Sequence, residues 1–169
     1  AECSALWDLL AQVRAGSTIL ADMAIQANSQ LAAGDVAGEV HLFANNLDSA
    51  GNSFGCHENY LLRRSRDFRE MADALIAFFV TRQIIAGSGA LVQDEDGTVR
   101  YSLSARAAQM HDALSGATTR SRPIINTRDE PLSDSTSYRR LHVIVGDTNI
   151  AEPTTALKVA STDVVLHAM

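Results

Sequence analysis

Apolar residues near the beginning of the chain recur at helical spacing. They would share one face of a helix, and they are Leu6, Leu9, Leu10, Val13, Leu20, Met23, Ala24, Ala27 and Leu31. Arg14-Ala15-Gly16 marks a position at which this helix kinks or divides, and Gly34 and Gly38 end it. The pattern predicts a packing helix with no chemical role.

Alternation of apolar and polar residues predicts the strands. Residues 39–44 and 57–62 alternate, and the Asn-, Asp-, Ser- and Gly-rich segment between them is typical of a turn. We therefore expect a hairpin at this point. A second hairpin joins 91–93 to 99–103 through an Asp-Gly turn. Residues 140–147 predict one more strand.

Two further helices complete the pattern. One runs from Phe68 towards Arg82 and is broken at Gly87. The other covers 152–169, with Pro153 in its first turn, where a missing N–H costs little. The mixture of helices and strands predicts an α/β (α+β) fold. A hydrophobic fraction of 46% suits an ordinary globular domain.

Charge and cysteine content narrow the possible functions. A net charge of −6 argues against non-specific nucleic-acid binding. No apolar run has membrane length, so we expect no membrane partner. Cys3 and Cys56 form neither a disulfide framework nor a zinc pattern. This cysteine usage indicates a reducing, cytoplasmic setting.

Two histidines stand at predicted strands. On a strand that begins near His57, His57 and Asn59 share one face and Glu58 takes the other. An imidazole beside an amide suits a divalent metal or a phosphate. The alternative, which the spacing alone favours, is a hairpin turn with a surface histidine. His142 lies among apolar neighbours, where it is either a core histidine or a second ligand.

An arginine-rich segment follows at 118–131. Arg120, Arg122 and Arg128 stand there among small polar residues and two prolines. Guanidinium groups bind phosphate or carboxylate oxygens in a bidentate manner. The alternative is a surface loop in which these arginines pair with Asp129 and Glu130.

Two segments resemble the carboxylate–amine ligase superfamily of glutamine synthetase. Residues 51–59, Gly-Asn-Ser-Phe-Gly-Cys-His-Glu-Asn, resemble the loop whose G-x-H supplies a metal-binding histidine. Residues 140–149, Arg-Leu-His-Val-Ile-Val-Gly-Asp-Thr-Asn, resemble a strand–turn–helix with the pattern R-I-E-V-R-x-x-D, in which His142 replaces the glutamate ligand. The similarity is greater still to the pupylation branch of this superfamily, and it covers residues 45–61 and 117–131. This branch contains ligases and depupylases, and the ligases are favoured by Cys56 and Ser121–Arg122.

The resemblance implies a fold, cofactors and partners. The expected fold is glutamine-synthetase-like, with a curved antiparallel sheet and packing helices. The expected cofactors are ATP and Mg²⁺, with His57 and His142 in the metal site and Arg120, Arg122 and Asn59 at the phosphates. The implied reaction phosphorylates the C-terminal glutamate of the prokaryotic ubiquitin-like protein (Pup). A lysine amine of a substrate protein then attacks, which makes an isopeptide bond.

The same resemblance places several functional residues outside the chain. In this family, the part of the protein that precedes the match to Ala1 holds the catalytic aspartate, other metal ligands and several ATP contacts. A small domain that also contacts ATP follows the match to Met169. We therefore expect residues 1–169 to be a partial catalytic domain, incomplete at both ends and inactive alone. Pro153 departs from the Ser or Thr usual in its turn. A depupylase or deamidase on the same fold, and a non-catalytic Pup-binding module, remain alternatives.

Overall fold

The computed structural model describes residues 2–64, 67–116 and 122–169. It contains two separate units, Ala1–Asn45 and Asn46–Met169. The first unit is built on one helix, α1 (Leu6–Ala33), which runs without a break. The kink or division expected at Gly16 is therefore wrong, because a single glycine costs a long helix only about 1 kcal/mol. Gly34 ends the helix as predicted, and its N–H donates to the carbonyl of Gln30 at 3.0 Å.

The strand predicted at 39–44 does not form. A side chain holds this segment instead: the N–H of Val40 donates to Asn28 Oδ1 at 2.6 Å, and Asn28 Nδ2 donates to the carbonyl of Val40 at 3.1 Å. One amide thus satisfies both backbone groups that a neighbouring strand would have paired. The hairpin expected between 39–44 and 57–62 is consequently wrong as well.

The second unit contains the sheets. Its strands are β1 (Glu58–Arg63), β2 (Ala90–Gln93), β3 (Val99–Ser102), β4 (Asp112–Ser115), β5 (Pro123–Asn126) and β6 (Tyr138–Val143). Its helices are α2 (Phe68–Ala86) and α3 (Glu152–Ala168), with a short 3₁₀ turn at Ala107–Gln109. Four strands form one sheet in the order β1-β6-β5-β4, and β2 and β3 form the predicted separate hairpin.

The α/β fold class is confirmed, with a mixed rather than wholly antiparallel sheet. β6 runs antiparallel to β1 and to β5, whereas β4, which the sequence pattern missed, runs parallel to β5. β6 begins at Tyr138 and ends at Val143, so the predicted 140–147 strand is shifted. It stops because the chain turns at Gly146, whose φ of 118° disfavours any residue with a side chain.

The core lies between α2 and one face of the four-stranded sheet. Ala72, Leu75 and Phe79 of α2 belong to the same buried cluster as strand residues Ile125, Leu141 and Val143. The side chains of α3, including Val165 and Leu166, pack against this cluster. Because side chains alternate across a strand, the residues between these core positions project from the opposite face. Within the described ranges, no helix is long and apolar enough to cross a membrane.

Candidate metal and phosphate site

A row of polar residues crosses all four strands of the sheet. Asn59 on β1 lies opposite His142 on β6, His142 lies opposite Asn126 on β5, and Asn126 lies beside Ser115 on β4. The row occupies the face that does not pack on α2, since Leu141 and Val143 flank His142 and project into the core. His142 and Asn126 are buried, and Asn59 is exposed.

His57 meets this row just before β1 begins. Its Nδ1 lies 2.9 Å from Nε2 of His142, and the two ring centroids are 4.9 Å apart. The two histidines that the resemblance assigns to one site are therefore in contact. Two ligands at right angles on one metal, each about 2.1 Å from it, would also lie about 3 Å apart. The spacing fits a shared metal ion, and the metal role itself stays a prediction.

The surroundings favour the neutral form of both imidazoles. Burial is the main cause that lowers the pKa of His142 to about 4, and the charge of Arg140 and the neighbouring His57 add to it. Burial also lowers the pKa of His57, with further contributions from Arg106 and Arg140. A neutral imidazole offers a nitrogen lone pair, which is the form that binds metals. Nδ1 of His142 is buried, and no residue that the structure describes forms a hydrogen bond with it.

The segment before His57 is a compact turn. Asp48 accepts hydrogen bonds from the N–H groups of Ala50 and Asn52, at 3.0 and 2.8 Å, and Gly51 has a φ of 80°. Gly55 allows the ring of His57 to fold back over the chain, because a Cβ at Gly55 would lie 2.5 Å from Nε2 of His57. The Asn/Asp/Ser/Gly composition predicted the turn, although not its place outside a hairpin.

Side chains fasten this turn to the region around β6. Asn46 pairs with the backbone of Thr148 on both sides: its Nδ2 donates to the carbonyl at 3.0 Å and its Oδ1 accepts from the N–H at 2.6 Å. Lys158 of α3 donates to Cys56 Sγ at 3.3 Å and to the carbonyl of Asp147 at 2.8 Å. The side chain next to His57 in sequence is thus tied to a helix across the site.

The structure describes one of the two arginines predicted at a phosphate. Nη1 of Arg122 donates to the carbonyl of Ser53 at 2.7 Å, so this arginine lies against the turn that carries His57. Arg120 lies outside the described residues. The roles of Arg122, Arg120 and Asn59 at a phosphate stay predictions.

The acidic residues of the arginine-rich segment pair with cations from other parts of the chain. Asp129 Oδ2 lies 2.6 Å from Nη1 of Arg64, and Glu130 lies 3.6 Å from Nη2 of Arg140. Since Arg122 instead contacts Ser53, the alternative in which Arg122 merely neutralises Asp129 or Glu130 is not what forms.

Two residues that the sequence analysis missed organise the site. Asp147 is fully buried and its carboxylate accepts from Ser88, Ser104, Ala105 and Arg106. The sequence indicated Asp147 only as part of the predicted strand and of the 140–149 motif, because its partners lie more than forty positions away.

Arg106 is the second missed residue, and it is also fully buried. Its Nε donates to Ser53 Oγ at 2.9 Å, and its Nη1 donates to the carbonyls of Ile144 and Gly146. No motif surrounds it, so no signal in the sequence marked it.

A metal at the histidine pair would need ligands besides these two. Among the residues that the structure describes, no group of three or more His, Cys, Asp or Glu side chains is arranged to hold a metal ion. Mg²⁺ prefers oxygen ligands in an octahedral arrangement. The two imidazoles therefore fit part of a magnesium site, with water, phosphate or other protein oxygens required to complete it.

Comparison with known proteins gives a consistent match. The family model described as "Pup-ligase protein" covers residues 1–169. A Pup–protein ligase from Jonesia denitrificans is 57% identical over 167 residues, which is 99% of this chain and 36% of that protein. A Pup–protein ligase from Kribbella flavida is 55% identical over 166 residues, 98% of this chain and 36% of that protein.

Solved structures agree with this match. The Pup ligase PafA in complex with ADP superposes with a TM-score of 0.87 at 51% identity, over 99% of this chain and 37% of that one. The complex between Pup and its ligase PafA gives a TM-score of 0.85 at 49% identity, over 98% and 33%. The chain thus spans about a third of the length of these relatives. It belongs to the Pup-ligase family.

Proposed function

We propose that this chain supplies part of the ATP-binding active site of an enzyme that ligates Pup to lysines of substrate proteins. The observation that carries the proposal is the contact between His57 and His142, 2.9 Å between ring nitrogens, beside a polar row across the sheet. Two neutral imidazoles in contact, inside a chain of this family, are suited to a metal ion that accompanies a nucleotide.

The charges around the pair support an anionic ligand. Burial is the main cause that lowers the pKa of both rings, and positive charge adds to it. Arg106 and Arg140 contribute at His57, and Arg140 and Arg128 contribute at His142. Arginine forks stabilise phosphate oxygens and the charge that develops during phosphoryl transfer. A relative whose structure contains ADP has the same fold, which supports ATP as the nucleotide.

In this proposal, His57 and His142 would hold Mg²⁺ together with oxygen ligands, and the ion would neutralise phosphate charge. Arg122, Arg120 and Asn59 orient the phosphate oxygens from the turn and from the sheet. The proposed roles of these residues are to bind the ion and to orient the phosphate. The general base belongs to other residues of the enzyme.

The overall reaction follows from the chemistry of carboxylate–amine ligation. The terminal phosphoryl group of ATP passes to the side-chain carboxylate of the C-terminal glutamate of Pup, giving an acyl phosphate and ADP. The neutral amine of a substrate lysine attacks the acyl carbon, and inorganic phosphate leaves as the isopeptide bond forms.

Cys3 and Cys56 are both free thiols, which supports a reducing cytoplasm as the location.

The test separates the histidine pair from other histidines. In the full-length protein, His57→Ala and His142→Ala are assayed for Pup conjugation on gels and for ADP release. His167→Ala is the matched control, because His167 is an exposed histidine of α3 whose Nδ1 lies 3.5 Å from Asp163 Oδ1 on the same helix. We expect a loss of about 10–100-fold in both pair variants and wild-type activity in the control.

The outcome also decides between the activities of the family. Wild-type conjugation in both His57→Ala and His142→Ala would remove the histidines from the active site. If the wild-type protein releases Pup from conjugates and forms none, the depupylase alternative replaces the ligase.

A further inference from the structure

Arg106 connects the two segments that carry the histidine pair. Its Nε donates to Ser53 Oγ, four positions before His57, and its Nη1 donates to the carbonyls of Ile144 and Gly146, just after His142. The backbone N–H of Arg106 is itself held by Asp147 Oδ1 at 3.2 Å. One side chain therefore spans the turn and the end of β6.

We propose that Arg106 is a positioning residue that sets the spacing between His57 and His142. This inference deepens the proposed function, on which its metal-binding consequence rests. Arg106 touches neither imidazole by a hydrogen bond, so it acts through the backbone segments that bear them. Neither its role nor that of Ser53 follows from the motifs by which the chain resembles its family.

The geometry favours a guanidinium group at this position. Ser53 is buried, with 7% of its surface exposed, and it receives one arginine on its hydroxyl and another, Arg122, on its carbonyl. The planar fork of Arg106 points donors at Ser53 and at two carbonyls at once, which the single ammonium of a lysine cannot reproduce. Charge alone would therefore not preserve the arrangement.

Other contacts hold the turn more remotely. Asn46 binds Thr148 at the start of the turn, and Lys158 reaches Cys56 from α3. Neither of these bonds ends on the 144–146 backbone that directly follows His142. Arg82 also reaches both segments, through Glu58 and, at 3.4 Å, the carbonyl of Val145, but it does so from the core. Arg106 joins the turn before His57 to the backbone after His142, so its loss would let the rings move relative to one another while the fold persists.

The experiment uses Arg106→Lys and Ser53→Ala in the full-length protein. Ser53→Ala removes the hydroxyl acceptor and leaves Arg106 on its two carbonyls, so it tests the connection even if Arg106→Lys does not fold. The matched controls are Arg100→Lys, whose arginine is exposed and pairs with Asp94, and Ser29→Ala on α1, whose hydroxyl donates to a carbonyl of its own helix. Circular dichroism and thermal unfolding verify the fold of each variant.

The first readout is the ring ¹⁵N NMR spectrum of the histidines in metal-free protein, which reports tautomer and hydrogen bonding. We expect the signals of His57 and His142 to change in Arg106→Lys and Ser53→Ala and to stay in place in both controls. The second readout is Mn²⁺ binding, followed by the EPR signal of the free ion. We expect the Kd for Mn²⁺ to rise about 10–100-fold in the two site variants.

The two readouts separate the inference from the proposed function. Unchanged ring signals of His57 and His142 in folded Ser53→Ala would overturn the positioning role of Arg106, whatever Mn²⁺ does. If the wild-type protein binds no Mn²⁺ at the pair, the proposed metal site fails. The ring signals would then still decide whether Arg106 sets the histidine spacing.

Discussion

Glu58 and Arg82 form a bidentate ion pair inside the second unit. Arg82 Nη2 lies 2.7 Å from Glu58 Oε1, and Nη1 lies 2.8 Å from Oε2. Nη1 also donates to Thr162 Oγ1 at 2.6 Å, so the pair joins β1, α2 and α3. Tyr60 donates its hydroxyl to Glu58 at 2.6 Å, and burial together with the charge of Glu58 raises the pKa of that phenol.

Because Glu58 lies between His57 and Asn59, this ion pair also fixes the face of β1 on which the candidate site stands. Glu58 points into the core, with an 8% exposed side chain, and its neighbours must therefore point to the opposite face.

We predict that Glu58→Gln destabilises the protein by about 3–5 kcal/mol, since it leaves the guanidinium of Arg82 buried without its counter-charge. The measurement is urea unfolding followed by circular dichroism. Asp94→Asn, which breaks the exposed pair with Arg100, is the control and should cost about 1 kcal/mol or less. Equal effects of the two substitutions would contradict a stabilising role for the buried pair.

Two glycines should respond in opposite directions to alanine. Gly16 lies in the middle of α1 with nothing within 4 Å of an added Cβ, so Gly16→Ala should stabilise the first unit by about 0.5–1 kcal/mol. At Gly87 the Cβ would lie 2.0 Å from the carbonyl oxygen of Leu103 and 2.6 Å from that of Gln83. Gly87→Ala should therefore destabilise the second unit by about 1–3 kcal/mol.

Thermal unfolding of the two variants beside the wild type checks this pair of expectations. A lower Tm for Gly16→Ala would mean that α1 is not the continuous helix described, and an unchanged Tm for Gly87→Ala would mean that the backbone at Leu103 yields easily.

Local signals in the sequence sufficed for part of the fold. The period of α2, the Asp-Gly turn of the β2–β3 hairpin and the proline at the start of α3 each depend on residues close together in the chain, and each was predicted. β4 was not, because Asp112–Ser115 is short and polar and its strand character depends on pairing with β5. The opposite error occurred at residues 39–44, where a strand was predicted and none forms. Alternation of apolar and polar residues does not reveal whether a partner strand exists.

The candidate site was predictable to a similar degree. Family resemblance assigned His57 and His142 to one site, and the two rings are in contact. Arg106 escaped because its partners Ile144 and Gly146 lie 38 and 40 positions away and are backbone carbonyls, which carry no sequence identity. Contacts of this kind form only once the sheet is assembled, so the spacing of residues along the chain does not predict them.

Gly55→Ala should impair the site without unfolding the protein. The new Cβ would meet Nε2 and Cδ2 of His57 at 2.5 and 2.7 Å. Only a side chain stands in its way, so the ring of His57 should swing out and leave His142. We expect Pup conjugation to fall by about 10-fold or more with little change in Tm. Gly116→Ala, whose Cβ would lie 3.4 Å from Thr127 Oγ1, is the matched control.

A wild-type rate for Gly55→Ala would show that the inward orientation of His57 is dispensable. A loss of activity that runs parallel to a loss of Tm would instead indicate a folding defect, and it would contradict the local effect predicted at this glycine.

The last prediction concerns pH. His142 has a pKa of about 4 in the folded protein, against 6.5 for an ordinary histidine, chiefly because it is buried and also because Arg140 stands nearby. As pH falls below 6.5, the unfolded chain takes up a proton at this position and the folded protein does not. The free energy of unfolding should therefore be unaffected by His142 above pH 6.5 and should fall between pH 6.5 and pH 4.

Urea unfolding of metal-free protein, in the presence of EDTA, at a series of pH values measures this dependence. His142→Gln should lose its share of the decline, so the difference in unfolding free energy between wild type and variant should shrink or change sign as pH falls through the window. Arg140→Gln should make the decline shallower, because removing that positive charge brings the folded pKa of His142 back towards 6.5. The difference in unfolding free energy between wild type and His142→Gln could instead stay constant from pH 7 to pH 4. His142 would then take up its proton equally well in the folded and unfolded states. That result would contradict the neutral imidazole on which metal binding at this pair depends.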